Sequence, residues 1–330
     1  MSGFEQTRTG GVVAALAGVA LTVTAIAFAA PVQAQDKLIL GEIPFPCALN
    51  NFAKTLCAGF EAGAEELPEG YAFELKTGLD FGDTASFNNI IETSLQLNPA
   101  GLIIFPNGSS AQVPLLRRAC EQGAKIVIID NPVEGLGECQ TGYVAADHGG
   151  LGALLGEWLI ENPPTSKKVG IVTLQPGQVA SNDARVSGFK QVVENAGFEI
   201  VAEVVTDLSL DRTRTQVTNM LTAHPDIGAV LSANDQIGNG TAQAIDDPNI
   251  VQLSIDGAMD SVERIVDGNL SADAAQDPFN VARLAVINIA KAIEGEDIPT
   301  TIAPEGLVVD ASNVEAYLDA GGMQGMVDGE

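Results

Sequence analysis

Short apolar runs alternate with amphipathic stretches along almost the whole chain, and this rhythm sets the fold class. "KLILGEI" (37–43) precedes a helical pattern over about 51–67, and "YAFELKT" (71–77) precedes "SFNNIIETSLQL". "AGLIIFP" (100–106) precedes "QVPLLRRACEQG", and "AKIVIID" (124–130) and "GYVAAD" (142–147) follow. A second series then begins with "KKVGIVTL", a helix around 183–196, "FEIVAEVV", a helix around 212–223 and "IGAVLSAND". "NIVQLSIDG", a short helix, "LSADAAQ" and a long helix over about 279–294 complete it. Strand-length runs separated by helices indicate βαβ units and parallel sheets. The runs are apolar without alternation, as strands covered by helices on both faces must be. Two such series predict an α/β protein of two doubly wound lobes, and no Pro-, Gly- or Ser-rich linker divides them.

The amino terminus carries a different signal. Residues 11–30 are uncharged and are followed by Pro31, with Val32 and Ala34 at the −3 and −1 positions of a secretory cleavage pattern. Export with cleavage after Ala34 is expected; an uncleaved membrane anchor is the alternative. Export to an oxidising compartment permits disulfides among Cys47, Cys57, Cys120 and Cys139. No Cys-x-x-Cys occurs, which argues against zinc or thioredoxin-type chemistry. Cys47 and Cys57 flank the first turns of a helix and Cys120 and Cys139 bracket one strand, so those two pairings are expected, with buried free thiols as the alternative. The net charge of −27 disfavours nucleic acid and anionic membrane surfaces.

In open α/β sheets ligands collect at the carboxyl ends of strands. Polar residues gather there: Asp130-Asn131, Asp147, Asn234-Asp235, Asp256-Gly257 and Gln276. Asp and Asn after a strand commonly cap the next helix, and Asp147 and Asp235 are read as caps. No helix follows Asp130 or Asp256 at once, and Gln276 is not a capping residue type. Carboxylates and amides converging on one cleft suit a neutral, hydroxyl-rich ligand. Arg185 adds a cation near the start of a helix.

Catalytic patterns are lacking. Of two histidines, His224 closes a helix, where it complements the dipole, and His148 opens one. No Gly-x-Ser-x-Gly, His-Glu-x-x-His or phosphate-binding Gly-rich loop occurs. "GGLGALLG" (149–156) misses the dinucleotide spacing and is read as a close helix-packing surface. A binding protein without a cofactor or metal is expected rather than an enzyme.

"ARVSGF" (184–189), "DRTRTQVTNMLTAHPDIGAVLSANDQIGNGTAQAI" (211–245) and "SIDGAMDSVERIVDGNLSADAAQDP" occur in that order, and the chain resembles the ribose-type periplasmic binding proteins, the receptors of bacterial sugar ABC importers. The resemblance implies two lobes joined by a three-segment hinge: a signal peptide over 1–34, a first lobe of 35–146 plus 277–305, and a second of 147–276 plus 306–330. It implies ligand contacts from Asn50, Phe52, Asp130, Arg185, Asn234, Asp256 and Gln276. It implies a monomer that binds a sugar or polyol in the periplasm and presents its closed form to a membrane ABC permease. A chemotaxis or sensor-kinase receptor is the alternative, and a sugar-modifying enzyme a more distant one.

Several positions depart from the family pattern. Asn131 stands where ribose receptors carry an Arg, Phe105 replaces an Asn with Asn107 two residues on, Leu210 occupies an aromatic position, and Ala53 replaces a second aromatic. All but Ala53 are expected to line the pocket, and together they argue against plain ribose as ligand. The Pro44-Phe45-Pro46-Cys47 insertion is expected to reshape its rim.

Overall fold

The computed structural model describes residues 36–299, 301–302 and 304–327. The leader and the cleavage point after Ala34 lie outside the described residues.

The first sheet is built from β1 (Lys37–Ile43), β2 (Tyr71–Thr77), β3 (Gly101–Ile104), β4 (Lys125–Ile129) and β5 (Gly142–Val144). The helices α1 (Asn51–Glu65), α2 (Thr84–Leu95) and α3 (Gln112–Glu121) connect its first four strands. After β5 the chain crosses over, and α4 (His148–Glu161) opens the second lobe. There β6 (Lys168–Thr173), β7 (Glu199–Val205), β8 (Ala229–Ser232), β9 (Val251–Asp256) and β10 (Ala272–Ala275) form the sheet. They are linked by α5 (Ala180–Asn195), α6 (Leu210–Ala223), α7 (Asp235–Ala242) and α8 (Met259–Val266). The chain then returns: α9 (Pro278–Ile293) packs on α1, and β11 (Thr301–Ile302) joins the first sheet. A third crossing delivers β12 (Leu307–Asp310), α10 (Val314–Asp319) and α11 (Met323–Val327) to the second lobe.

The strand orders are β11-β5-β4-β3-β1-β2 and β12-β10-β9-β8-β6-β7. All pairings are parallel except β10 with β12. The central strands β3 and β8 are buried at every position, as their unalternating apolar sequences require. Apolar residues of α1 and α9 cover one face of the first sheet, with Phe60, Val286 and Ile289 at the centre. Phe87, Ile91 and Leu116 of α2 and α3 cover the other. Each large side chain so buried contributes roughly 1.5–3 kcal/mol.

The glycine-rich stretch over 149–156 does serve helix packing. A Cβ on Gly152 would lie 1.9 Å from the Arg185 carbonyl oxygen, and one on Gly188 would lie 2.0 Å from that of Gly149. Glycine therefore lets α4 and α5 approach backbone to backbone, which brings His148 and Arg185 side by side. Both expected disulfides are present, Cys47–Cys57 with Cα atoms 5.9 Å apart and Cys120–Cys139 with 5.5 Å. Closing loops of this size restricts the unfolded chain by about 3 kcal/mol each.

Candidate functional site

The parallel strands of both sheets point their carboxyl ends at one interlobe cavity of about 220 Å³. Its first-lobe wall is aromatic. Phe105, just past β3, takes edge-to-face contacts from Phe45 (5.2 Å between centroids), Phe52 (6.3 Å) and Phe81 (6.4 Å). Phe45 comes from the Pro44–Cys47 insertion, which the bridge to Cys57 ties down onto α1. Asn50 caps α1 by accepting from the Ala53 amide at 2.8 Å, which fixes the start of the helix that carries Phe52.

The polar floor is a connected network. Arg185, only 3% exposed, donates from Nη2 to Asp256 Oδ1 at 2.9 Å, from Nη1 to the Ala233 carbonyl at 3.0 Å and from Nε to His148 Nδ1 at 3.3 Å. Accepting at Nδ1 leaves the His148 proton on Nε2, which faces Asp130 Oδ1 at 3.4 Å. Gln276 Nε2 donates to Asp256 Oδ1 at 2.7 Å, and Asn131 Nδ2 to Asp130 Oδ2 at 3.0 Å. Burial pushes the Asp256 carboxyl up to about 6, with Arg185 opposing the shift and Asp235 adding to it. The Tyr143 hydroxyl donates to the Asp130 carbonyl at 2.6 Å, and burial, with the Asp130 charge, pushes the phenol up. Asp130 and Asp256 have φ of +61° and +146°, conformations rare for residues with a Cβ. Such strain is typical where a backbone must aim a side chain into a site.

The lobes also touch directly. Asn131 Oδ1 accepts from the Ser181 amide at 3.2 Å, and Asn51 Nδ2 donates to Asp260 Oδ1 at 2.8 Å across the rim.

Of the residues expected to line the cavity, Asn50, Phe52, Phe105, Asp130, Asn131, Arg185, Asn234, Asp256 and Gln276 do so. Asn107 and Leu210 do not. Asn107 instead braces the loop before α2, donating to the Phe81 carbonyl at 3.2 Å and to Thr84 Oγ1 at 3.3 Å. Leu210 is the first residue of α6 and is 44% exposed; Leu208, held at φ +68°, faces the cavity in its place. The reading of Asp235 as a cap is also corrected. β8 ends at Ser232, so Asn234 reaches the extended cap position and accepts from the Ile237 amide at 2.9 Å. Asp235 turns inward, accepting from Ser254 Oγ at 2.6 Å and the Ala258 amide at 2.8 Å. Asp147 does cap its helix, accepting from the Gly150 amide at 2.9 Å.

Phe45, Phe81, Asn182 and Leu208 line the cavity without having been singled out. Asn182 had a legible signal: it stands three residues before Arg185 on α5 and so shares its face. Phe81 and Leu208 come from loops, where no periodicity marks them.

Residues 44–297 match the periplasmic binding protein domain family. Among curated relatives, the ribose import binding protein of Bacillus subtilis (strain 168) is 28% identical over 223 residues, 67% of this chain and 72% of that protein. The D-apiose import binding protein of Actinobacillus succinogenes is 26% identical over 283 residues, 83% and 87% of the two chains. Among solved structures, an ABC transporter periplasmic solute binding protein from Actinobacillus succinogenes 130z with bound D-allose superposes with a TM-score of 0.78 at 21% identity, covering 86% of this chain and 100% of that one. A solute binding protein from Mycobacterium smegmatis with bound glycerol gives 0.76 at 25% identity, covering 86% and 96%. The two parallel-sheet lobes, the cleft between them and these matches agree: the chain belongs to the periplasmic binding protein family, among proteins of the ribose-receptor type rather than enzymes.

Proposed function

We propose that this chain is a periplasmic receptor that closes on a small hydroxyl-rich ligand, a sugar or polyol, and delivers it to an ABC permease that recognises the closed form. One observation carries the reading: Asp130 from the first lobe and Asp256 from the second face a single cavity behind a wall of phenylalanines. Carboxylates accept hydroxyl protons and aromatic rings cover the C–H face of a sugar ring. A ligand satisfying both lobes stabilises the closed state, because both sets of contacts exist only there. Micromolar affinity corresponds to about −8 kcal/mol, within reach of several charge-assisted hydrogen bonds. The aromatic Phe105 and the uncharged Asn131 favour a ligand less polar along one edge than ribose. The crossings of the chain support the assignment of 35–146 plus 277–305 to one lobe and 147–276 plus 306–330 to the other. The leader pattern of the sequence and the two bridges support export.

Native mass spectrometry of the purified chain, followed by calorimetric titration with aldopentoses, aldohexoses, ketohexoses, inositol and glycerol, tests this. A co-purifying sugar or polyol that binds one to one is expected. A tightly retained ligand of another class, or no heat with any of the panel, overturns the reading.

A further inference from the structure

Beneath the turn that presents Asp256 lie two more carboxyl groups, and their hydrogen bonds are unequal. Asp235 on α7 and Asp273 on β10 are both buried, at 4% and 0% exposure, with Asp235 at the edge of the cavity. Two consecutive backbone amides divide between them. Gly257 N–H donates to Asp273 Oδ1 at 2.9 Å, and Ala258 N–H donates to Asp235 Oδ2 at 2.8 Å. Neighbouring amides of one turn hold the two carboxyls side by side. The remaining oxygen of Asp235 accepts from Ser254 Oγ at 2.6 Å, so both Asp235 oxygens face donors. Asp273 Oδ2 has no donor. The group set against Asp273 is the Asp235 carboxyl, an acceptor, and the contact becomes a hydrogen bond only when one of the two carries a proton.

Among the described residues neither nearby guanidinium forms an ion pair with Asp235 or Asp273. Arg185 of α5 is bound to Asp256, and Arg264 of α8 is bound to the Gly238 carbonyl and Ser261 Oγ. Tyr317 of α10 donates its hydroxyl to the Gly257 carbonyl at 2.7 Å, and Asp277 caps α9. The strand partners of Asp273 are Ser254 on β9 and Val309 on β12. Among the described residues no group of His, Cys, Asp and Glu is arranged to hold a metal ion. Two ionised carboxylates in contact in a dry site cannot both persist.

We propose that Asp273 is protonated and shares its proton with Asp235, and that this acid pair is a clamp holding the Asp256–Gly257–Ala258 turn so that Asp256 points into the cleft. Asp273 is a positioning residue, and Asp235, which borders the cavity with its two oxygens taken by Ser254 and Ala258, acts on the ligand through the turn. The turn needs such a clamp because Asp256 and Gly257 have φ of +146° and +74°, outside the basin that an unsupported strand end would take. Two of its amides and the Gly257 carbonyl are held by buried side chains, while the Asp256 and Ala258 carbonyls accept from backbone amides. Burial and the Asp235 charge both push Asp273 well above the ordinary aspartate range, in agreement with this assignment.

The hydrogen-bond pattern makes the two acids respond oppositely to amide substitution. In Asp273→Asn the amide can donate to Asp235 and its oxygen can accept from Gly257, so the clamp survives without a proton. In Asp235→Asn the NH2 group can face Ser254 only if that hydroxyl turns from donor to acceptor and gives up its present bond, so the clamp is weakened. The link to binding rests on the sugar-receptor reading above; the clamp itself does not. Three measurements on the whole mature chain therefore test it: melting from pH 4 to pH 8, amide exchange at Gly257 and Ala258, and calorimetric titration with D-ribose and D-allose as probes. Expected for Asp273→Asn are slow exchange, a probe affinity within about threefold of wild type, and a melting temperature that rises relative to wild type with pH. Asp235→Asn and Asp273→Leu should expose the turn amides to exchange and weaken the probe roughly tenfold or more. Equal damage from the two Asn substitutions, or a gap between Asp273→Asn and wild type that does not change with pH, overturns the proposal. If neither probe binds wild type, the assignment of a ribose-like ligand is what fails, while exchange and melting still decide the clamp.

Discussion

Asp256 shows how much a single strand-end residue is asked to do. It accepts from Arg185 and Gln276 through one oxygen, leaving Oδ2 with only a long 3.5 Å approach from the Asp235 amide. Asp256→Ala should weaken ligand binding about tenfold to hundredfold, the loss of a charge-assisted hydrogen bond in a closed site. Calorimetric titration checks it, and an unchanged affinity would remove Asp256 from the contact set. Asn234→Ala should remove the α7 cap and lower stability by about 1 kcal/mol. Asp235→Ala should cost more, roughly 1–3 kcal/mol per orphaned donor, because the Ser254 hydroxyl and Ala258 amide lose their acceptor. The Asn-Asp pair was legible in the sequence as a strand end with two polar jobs. Which residue held which job depended on where β8 stops, and one residue of register reversed the assignment. Glu42 is a different case, a carboxylate inside β1 that no functional motif marks. It is fully buried, and burial pushes it up to about 7, with the Ser94 hydroxyl and the Lys76 charge opposing in part. Its folded pKa exceeds the unfolded 4.5, so its contribution to stability is complete below pH 4.5 and is lost as pH rises to about 7. The loss amounts to about 3 kcal/mol. Glu42→Gln should melt above wild type at pH 8, with the advantage shrinking toward pH 4.5; a constant difference across that range would refute it.

At the scale of elements, the loop between β1 and α1 does most to shape the first-lobe wall of the cavity. It carries Phe45, Leu49 and Asn50 to the cavity, and the Cys47–Cys57 bridge fastens it to the helix that presents Phe52. The Cys120–Cys139 bridge instead joins the end of α3 to the short turn before β5, away from the cavity. The two bridges should therefore separate stability from binding. Replacing Cys120 and Cys139 by Ser should lower the melting temperature and leave affinity nearly unchanged. Replacing Cys47 and Cys57 should lower both, because Phe45 and the cap at Asn50 lose their tether. Parallel titrations and melts of the two double variants check this, and equal effects on affinity would show that the first bridge does not order the pocket wall. Strands and helices were readable here because their periodicity is written in every few residues. The glycine stripe was readable because it misses every nucleotide-binding spacing. Loop residues such as Phe81 were not, since nothing local distinguishes a phenylalanine that closes a cavity from one that packs a core.

For the molecule as a whole, the two lobes and their sheets follow from the doubled rhythm of apolar runs, but the cleft depends on how the lobes meet. Among the described residues that meeting includes the Asn131–Ser181 and Asn51–Asp260 hydrogen bonds, His148 of the second lobe lying against Asp130 of the first, and Phe81 of the first packed on the core of the second. Asn51 and Asp260 both line the cavity, and their bond spans the two lobes, so on the receptor reading an open form would lose it. A hydrogen bond of this kind contributes about 0.5–1.5 kcal/mol, enough to bias an open–closed equilibrium but not to lock it. Asn51→Ala should therefore lower the closed population without touching the polar floor. Apparent affinity should fall roughly twofold to tenfold, with the change in the dissociation rate, because encounter happens with the open form and escape requires reopening. Small-angle scattering should show a ligand-induced contraction in both proteins, with more ligand needed to complete it in the variant. Stopped-flow binding separates the rates. A slower association with unchanged dissociation would place Asn51 among the residues that capture the ligand, and the latch would then have to be sought in Asn131 and Ser181.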